Sequence, residues 1–268
     1  VWTGDARRPW ADALAVRGDR IAAVGSSAEI QKLALESARV IDAHGAMVTP
    51  GFTDAHVHFL LGGFGLQSVQ LRDARTKDEF VRRIAAFANA AEPGTWILNG
   101  DWDHENWGGE LPRKGWIDSV TPNNPVWINR LDGHMHLANS AALRAAAVTS
   151  DVRDVAGGTI VRDAGGDPTG IFKDNAEAII ARAVPAPSPA KEDRALQAAM
   201  AYVAERGVTA VQHMGGWNDL EVFERAHYAG AMRTRIYALV PLRTWARLAE
   251  RVKATGRGDA WLTIGGLK

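Results

Sequence analysis

The final stretch of the chain alternates strand-like and helix-like segments with a regularity that few architectures allow. Val208-Thr-Ala-Val-Gln212 reads as a strand, Asp219 to Ala229 as a helix, and Arg235-Ile-Tyr-Ala-Leu-Val240 as a second strand. Thr244 to Ala254 is again helical, and Trp261-Leu-Thr-Ile264 opens a further strand. Strands separated by helices pair in parallel, because the helix carries the chain back to the end from which the next strand starts. The pattern therefore predicts a parallel sheet covered by helices, with functional groups gathered at the carboxyl ends of its strands.

A pair of histidines marks one such end. His56-Val57-His58 closes a short apolar run that follows the Pro50-Gly51 turn and precedes Gly62-Gly63. Side chains two apart in a strand project to one face, so both imidazoles point the same way while Val57 packs behind them. Neutral imidazole is a common ligand for zinc-like metals, and two converging rings make half of a site. Paired histidines also occur on surfaces and in satisfied cores. The apolar strand and the turn before it favour the metal reading.

Several segments occur together and in a recognisable order. Met47-Val-Thr-Pro-Gly-Phe-Thr-Asp-Ala-His-Val-His58 is preceded by Val1-Trp-Thr-Gly-Asp5 and Ala15-Val-Arg-Gly-Asp-Arg-Ile-Ala-Ala-Val-Gly25. Gly100-Asp-Trp-Asp103, Trp107, Asp132-Gly-His134, Asn139-Ser-Ala-Ala-Leu143 and Gly165-Gly-Asp-Pro-Thr-Gly170 follow. Gly207-Val-Thr-Ala-Val211 and Ile264-Gly-Gly-Leu-Lys268 complete the set. The chain resembles the amidohydrolase superfamily of metal-dependent hydrolases. Within it, the likeness is to the amidohydrolase-3 branch of YtcJ-like and N-substituted formamide deformylase-like proteins.

The resemblance implies an α/β fold, a partial (β/α)8 TIM barrel of the metal-dependent hydrolase type. Residues 1–50 would belong to a small β-sandwich completed by a carboxyl-terminal segment that this chain lacks. Residues 51–268 would form the first half of the barrel, interrupted by an inserted α+β subdomain over about 62–190. The strand at His56 and the three strands of the final stretch would then supply four barrel strands. A closed barrel needs eight, so the chain is expected to stop halfway.

Other elements are read from local pattern. Asp12-Ala-Leu-Ala-Val16 and Arg20-Ile-Ala-Ala-Val24 flank a Gly18-Asp19 turn, a hairpin signal. Ser27 to Ser37 suggests a short helix and Ala38-Arg-Val-Ile-Asp42 a further strand. Thr76 can cap an amphipathic helix to Ala91, with Phe80, Ile84 and Phe87 at helical spacing. Trp96-Ile-Leu-Asn99 and Val126-Trp-Ile-Asn129 read as strands, Thr159-Ile-Val-Arg162 as part of a hairpin, and Lys191 to Arg206 as a helix. Pro185-Ala-Pro-Ser-Pro189 is a stiff connector.

Composition narrows the function classes. Lys plus Arg number 31 and Asp plus Glu number 31, so no overall field favours nucleic acid or an anionic membrane. No apolar run reaches the roughly 18 residues of a membrane span. The absence of cysteine rules out disulfides and thiolate metal sites. No GxSxG, P-loop, GxGxxG or HExxH motif is present. A cytoplasmic location is favoured, with a removed signal peptide left open because the chain starts at Val1. The expected partner is a small-molecule substrate, with no nucleic acid and no membrane, and a homo-oligomer is left open.

Lys268 falls at the end of the last strand, after Gly265-Gly266, where backbone can approach a centre closely. The family likeness implies that a lysine here joins His56 and His58 as a metal ligand after carboxylation, since a free amine captures carbon dioxide and the resulting anion binds cations. A solvated terminal lysine is the plain alternative. The implied cofactor is a divalent metal, zinc first, as one or two ions. The other implied ligands, two histidines on later strands and an aspartate on the eighth, would lie beyond this chain, so no catalytic base is named.

Asp54 shares a face with His56 and His58 and would either orient a ligand histidine by hydrogen bonding or cap a turn. His134 follows the Asp132-Gly133 turn, and the likeness implies a substrate contact there, with His136 structural. Trp102 and Asp103 lie in an aromatic, acidic loop that the family places over the pocket, against the alternative of a tryptophan anchored in the subdomain. His213 would face the pocket or serve as a satisfied packing histidine. The leading expectation is a metal-dependent amidohydrolase that hydrolyses an amide, formamide or cyclic amide with metal-activated water. The alternative is a truncated, non-catalytic fragment acting as a binding or assembly module.

Overall fold

The computed structural model describes residues 1–268. Strands β1 (Ala13–Arg17) and β2 (Arg20–Gly25) form the expected hairpin, a two-stranded antiparallel sheet turned at Gly18, whose φ is +62°. Helix α1 (Ser27–Leu33) follows, started by a capping box in which Ser26 and Glu29 satisfy each other's backbone amides. Residues 38–42 do not form the expected strand. They have no pairing neighbour, and Val40 and Ile41 stay 82% and 77% exposed. A β-branched run without a partner strand has nothing to bond to.

Strand β3 (Phe52–Val57) leads directly into helix α2 (Phe59–Leu66), where the sequence suggested only a glycine-flanked turn. Tertiary packing explains the helix. A Cβ on Gly63 would lie 2.1 Å from the carbonyl oxygen of Ala195, so its absence lets two helices meet backbone to backbone. After Leu66 the chain makes an excursion from the main sheet.

The excursion opens with α3 (Lys77–Ala90), capped by Thr76 through the Glu79 amide and burying Phe80 and Ile84. Strand β4 (Ile97–Leu98), helix α4 (Lys114–Ile117) and strands β5 (Val126–Asn129) and β6 (Met135–Ala138) follow. Next come α5 (Ser140–Ala145), capped by Asn139, then β7 (Gly158–Arg162), β8 (Pro168–Asp174) and α6 (Ala178–Ala181). A mixed five-stranded sheet of order β4-β5-β6-β8-β7 results. Period two sends Ile128, Leu137 and Ile171 into one apolar cluster and Trp127, Ala138 and Phe172 into another.

Helix α7 (Pro189–Ala204) returns the chain to the main sheet, with Ser188 capping and Pro189 as its first residue, where a missing N–H costs nothing. The expected alternation then appears as β9 (Val208–Met214), α8 (Trp217–Tyr228), β10 (Arg235–Val240), α9 (Trp245–Thr255) and β11 (Leu262–Leu267). These strands and β3 form an all-parallel four-stranded sheet of order β11-β10-β9-β3. Val211, Ile236, Ala238 and Ile264 face helices α2, α7, α8 and α9 in one core. The opposite face carries His56, His58 and Lys268 and lies open. No helix is long and apolar enough to cross a membrane.

Candidate metal centre

Three nitrogens meet at the carboxyl edge of the four-stranded sheet. Lys268 Nζ lies 3.3 Å from His56 Nε2 and 3.3 Å from His58 Nε2. The imidazole centroids are 6.1 Å apart with planes inclined at 64°, so the rings converge rather than stack. β3 and β11 are the outer strands of the sheet. In a flat sheet, three spacings of about 4.8 Å would separate them. The tips nevertheless meet, so residues from the two outer strands converge on one point.

Backbone features aim each group. The register of β3 against β9 slips between Asp54 and Val57, an irregularity that turns the strand end and re-aims its side chains. Lys268 is held by its own main chain, donating from N–H to Val240 at 3.0 Å and accepting from the Leu242 N–H at 2.6 Å. A second slip, between Ala238 and Leu239, sets Gly266 opposite Leu239. The close approaches at Gly265 and Gly266 are to side chains. Added Cβ atoms would lie 2.6 Å from Arg257 Nε and 2.4 Å from Leu239 Cγ respectively.

The donor set fits part of a cation site. An ammonium nitrogen already lies within contact of both Nε2 atoms, where a metal ion would accept their lone pairs. Partial burial, followed by the nearby positive charge of Lys268, pushes the His58 imidazole below its ordinary pKa, with smaller effects from His213 and His56 opposing the Met214 carbonyl. The neutral ring is the form that ligates metal. Two imidazoles and one amine do not complete a four-coordinate shell. No group of three or more His, Cys, Asp or Glu side chains in the chain could hold an ion.

The other sequence-derived candidates separate into different environments. Asp54 accepts from the backbone N–H of His56 at 2.9 Å, so the bond it makes steadies the strand end and leaves the ring alone. His134 is exposed at the start of β6, with Nδ1 3.0 Å from Asp174 Oδ1. Asp174 has φ +51°, a conformation unfavourable for a residue with a Cβ. His136 stacks on Trp127, centroids 4.5 Å apart.

Trp102 lies inside the excursion. Its ring is wholly buried in the core of the excursion, and Nε1 donates to the Ile128 carbonyl at 3.0 Å. Asp103 caps the turn at 104–107 and accepts from Arg130 at 3.0 Å. Arg130 also pairs with Asp132. These bonds order the loop and engage the Trp102 and Asp103 side chains within the excursion.

His213 sits opposite Val57 where β9 pairs with β3. It is 1% exposed and lies on the helix-facing side of β9. Nδ1 accepts from the Phe59 N–H at 3.0 Å, and Nε2 lies 3.1 Å from Asp219 Oδ2. Asp219 also accepts from the Gly216 N–H at 3.0 Å. Burial acts to raise the Asp219 pKa, but the hydrogen bonds from His213 and from the Gly216 N–H hold it below the ordinary carboxylate value. Asp219 and Asp174 were not singled out in the sequence. Only the position of Asp219, three residues after Gly216 at a helix start, hinted at its capping role.

Residues 39–268 match the amidohydrolase family. The chain is 38% identical to Protein LONG AFTER FAR-RED 3 of Arabidopsis thaliana, over 100% of this chain and 48% of that protein. It is 35% identical to N-substituted formamide deformylase of Arthrobacter pascens, over 63% of this chain and 32% of that protein. Thus the chain spans about half the length, or less, of these curated relatives. The fold is similar to the crystal structure of an uncharacterized metal-dependent hydrolase from Pyrococcus horikoshii OT3, with TM-score 0.71 and 21% identity, covering 95% of this chain and 49% of that one.

Proposed function

The chain belongs to the amidohydrolase family, and from that premise we propose that it forms the amino-terminal part of a metal-dependent hydrolase. The reaction class is hydrolysis of a carbon–nitrogen bond in an amide, formamide or cyclic amide. The convergence of His56 and His58 on Lys268, with both distances at 3.3 Å, carries the reading. Likeness to a formamide deformylase supports the choice of bond. In this reading the four-stranded parallel sheet is half of a (β/α)8 barrel, and residues 1–50 belong to a β-sandwich.

His56 and His58 would hold a divalent ion, zinc by choice of nitrogen donors, as one ion or one of two. Such an ion supplies Lewis acidity, making water a nucleophile near neutral pH and polarising a carbonyl. Lys268 would serve as its carbamate: the free amine bonds to the carbon of carbon dioxide, one proton leaves, and an anionic oxygen ligand results. His134, whose Nδ1–H donates to Asp174, has the Nε2 lone pair left to accept a hydrogen bond from a substrate N–H. The remaining donors and the proton-shuttling carboxylate would come from residues outside this chain.

Metal analysis of the full-length protein tests the proposal. The expected result is one or two divalent ions per chain, turnover abolished by a chelator and restored by zinc, and lower metal content in His56→Ala and His58→Ala. Metal-free protein whose turnover ignores the chelator would reject it. The exposed Val40, Ile41 and Phe52 favour a second reading, a non-catalytic assembly module. A native polypeptide ending at Lys268 and lacking turnover would support that one.

A further inference from the structure

Helix α2 begins immediately after His58, which makes His58 its N-cap residue. An N-cap side chain ordinarily turns back to accept from one of the first helical amides. His58 does not: its side chain makes no capping bond, and its ring faces Lys268. The amide of the first helical residue, Phe59, is instead satisfied by His213 Nδ1 at 3.0 Å, from a residue 154 positions away. Because Nδ1 accepts, the ring proton resides on Nε2, which donates to Asp219 Oδ2 at 3.1 Å. The same carboxylate oxygen accepts from Gly216 at the start of α8.

We infer that His213 and Asp219 form a positioning relay that caps α2 in place of His58, leaving the His58 imidazole free to serve as a metal ligand. The inference rests on the ligand reading of His58 given above. Its geometry is independent of that reading. His213 accepts from the peptide N–H that directly follows His58, while the carbonyl of that peptide accepts from Gly62 N–H at 2.9 Å. The peptide plane is therefore pinned on both sides. Phe223 meets the His213 ring edge to face, centroids 4.8 Å apart at 90°, which blocks rotation.

Gly215 is part of the same device. A Cβ there would lie 1.9 Å from His213 Nε2 and 2.2 Å from Asp219 Oδ2, in the space the relay bond occupies. Any side chain at 215 must push the two groups apart. One carboxylate thus ties the starts of two helices to the strand end that carries the histidine pair. Such supporting hydrogen bonds fix the orientation of metal ligands.

The test is Co2+ and Zn2+ affinity of the full chain by chelator competition, with the visible Co2+ spectrum reporting ligand geometry. His213→Leu removes the acceptor at similar bulk. It should weaken binding on the order of 10- to 100-fold and shift the Co2+ bands. His213→Asn, whose amide oxygen can stand near Nδ1, should recover most of the loss. A folded His213→Leu with parent affinity and parent spectrum overturns the relay. Should His213→Leu fail to fold, Asp219→Asn decides: a spectral shift with several-fold weaker binding supports the relay, and parent behaviour overturns it. Parent affinity in His58→Ala refutes the ligand reading itself, and is recognised because the His58 variant is then the silent one.

Discussion

At the scale of single residues, chemistry-bearing side chains were easier to locate in the sequence than to assign. His56 and His58 were legible because period two in a strand leaves little choice of direction, and both Nε2 atoms do meet Lys268 Nζ. Trp102 was not, because a tryptophan in an acidic loop looks alike whether it faces a ligand or a core. Its burial and its bond to Ile128 make stability the quantity to test. Trp102→Ala should cost about 3–5 kcal/mol in denaturant unfolding. Trp102→Phe should keep most of the packing and lose roughly 0.5–1.5 kcal/mol with the indole hydrogen bond. Unchanged stability with impaired substrate binding would restore the pocket role. Asp259 offers a pH test. Hydrogen bonds from the Leu262 and Trp261 amides, then from His227, lower its pKa to about 2. A carboxylate depressed in the folded state stabilises above its unfolded pKa of about 3.9 and loses that contribution as pH falls through the folded value. Unfolding midpoints followed from pH 5 to pH 2 should therefore drop more steeply in the parent than in Asp259→Asn. Parallel curves would remove Asp259 from the acid limb.

At the scale of elements, the helices that announce themselves do so through a cap and an apolar stripe. Thr76 with Phe80 and Ile84 was readable for that reason, whereas Ser188 and Pro189, read as part of a connector, are the cap and first residue of α7. Helix α2 was hidden, because Phe59-Leu-Leu-Gly-Gly-Phe-Gly-Leu66 has no polar face and three glycines. The segment is helical because α7 covers it, a contact no local window contains. The strand expected at 38–42 failed for the converse reason: its residues favour a strand, and no neighbour supplies hydrogen bonds. His213 belongs with these, since its decisive partner is the Phe59 amide across the sheet. The two central glycines of α2 separate the roles of propensity and packing. Nothing lies within 4 Å of a Cβ on Gly62, whereas one on Gly63 would meet the Ala195 carbonyl at 2.1 Å. Gly62→Ala should stabilise by up to about 1 kcal/mol through helix propensity. Gly63→Ala should destabilise, because the clash with backbone outweighs the same propensity gain. Thermal unfolding of the pair checks this, and equal shifts would mean that α2 and α7 do not pack as described.

At the scale of the whole molecule, the parallel pairing of the strands was legible from alternation, while the burial of the sheet was not. One face of the four-stranded sheet is covered by helices, and the face bearing His56, His58 and Lys268 is open. Its outer strand β3 has one neighbour and presents an unpaired edge, whereas Arg257 and Asp259 bond the outer edge of β11 at Ile264 and Leu262. Large apolar side chains remain exposed along the amino-terminal third, with Val40 at 82%, Ile41 at 77%, Met47 at 67% and Phe52 at 59%. Apolar area left in water forgoes roughly 25 cal/mol per Å2 of stabilisation, and parallel sheets are ordinarily covered on both faces. Polypeptide 1–268 on its own should therefore bind a hydrophobic dye and sediment as concentration-dependent oligomers at micromolar to millimolar concentrations. Replacing both Val40 and Ile41 by Lys should reduce oligomers and dye binding with little change in far-ultraviolet circular dichroism, since neither side chain packs against the core. The longer chain of relatives' length, under the half-barrel reading, should show neither behaviour. If the isolated polypeptide stays monomeric and silent to the dye, these side chains must find cover within their own chain, and the assembly reading loses its motive.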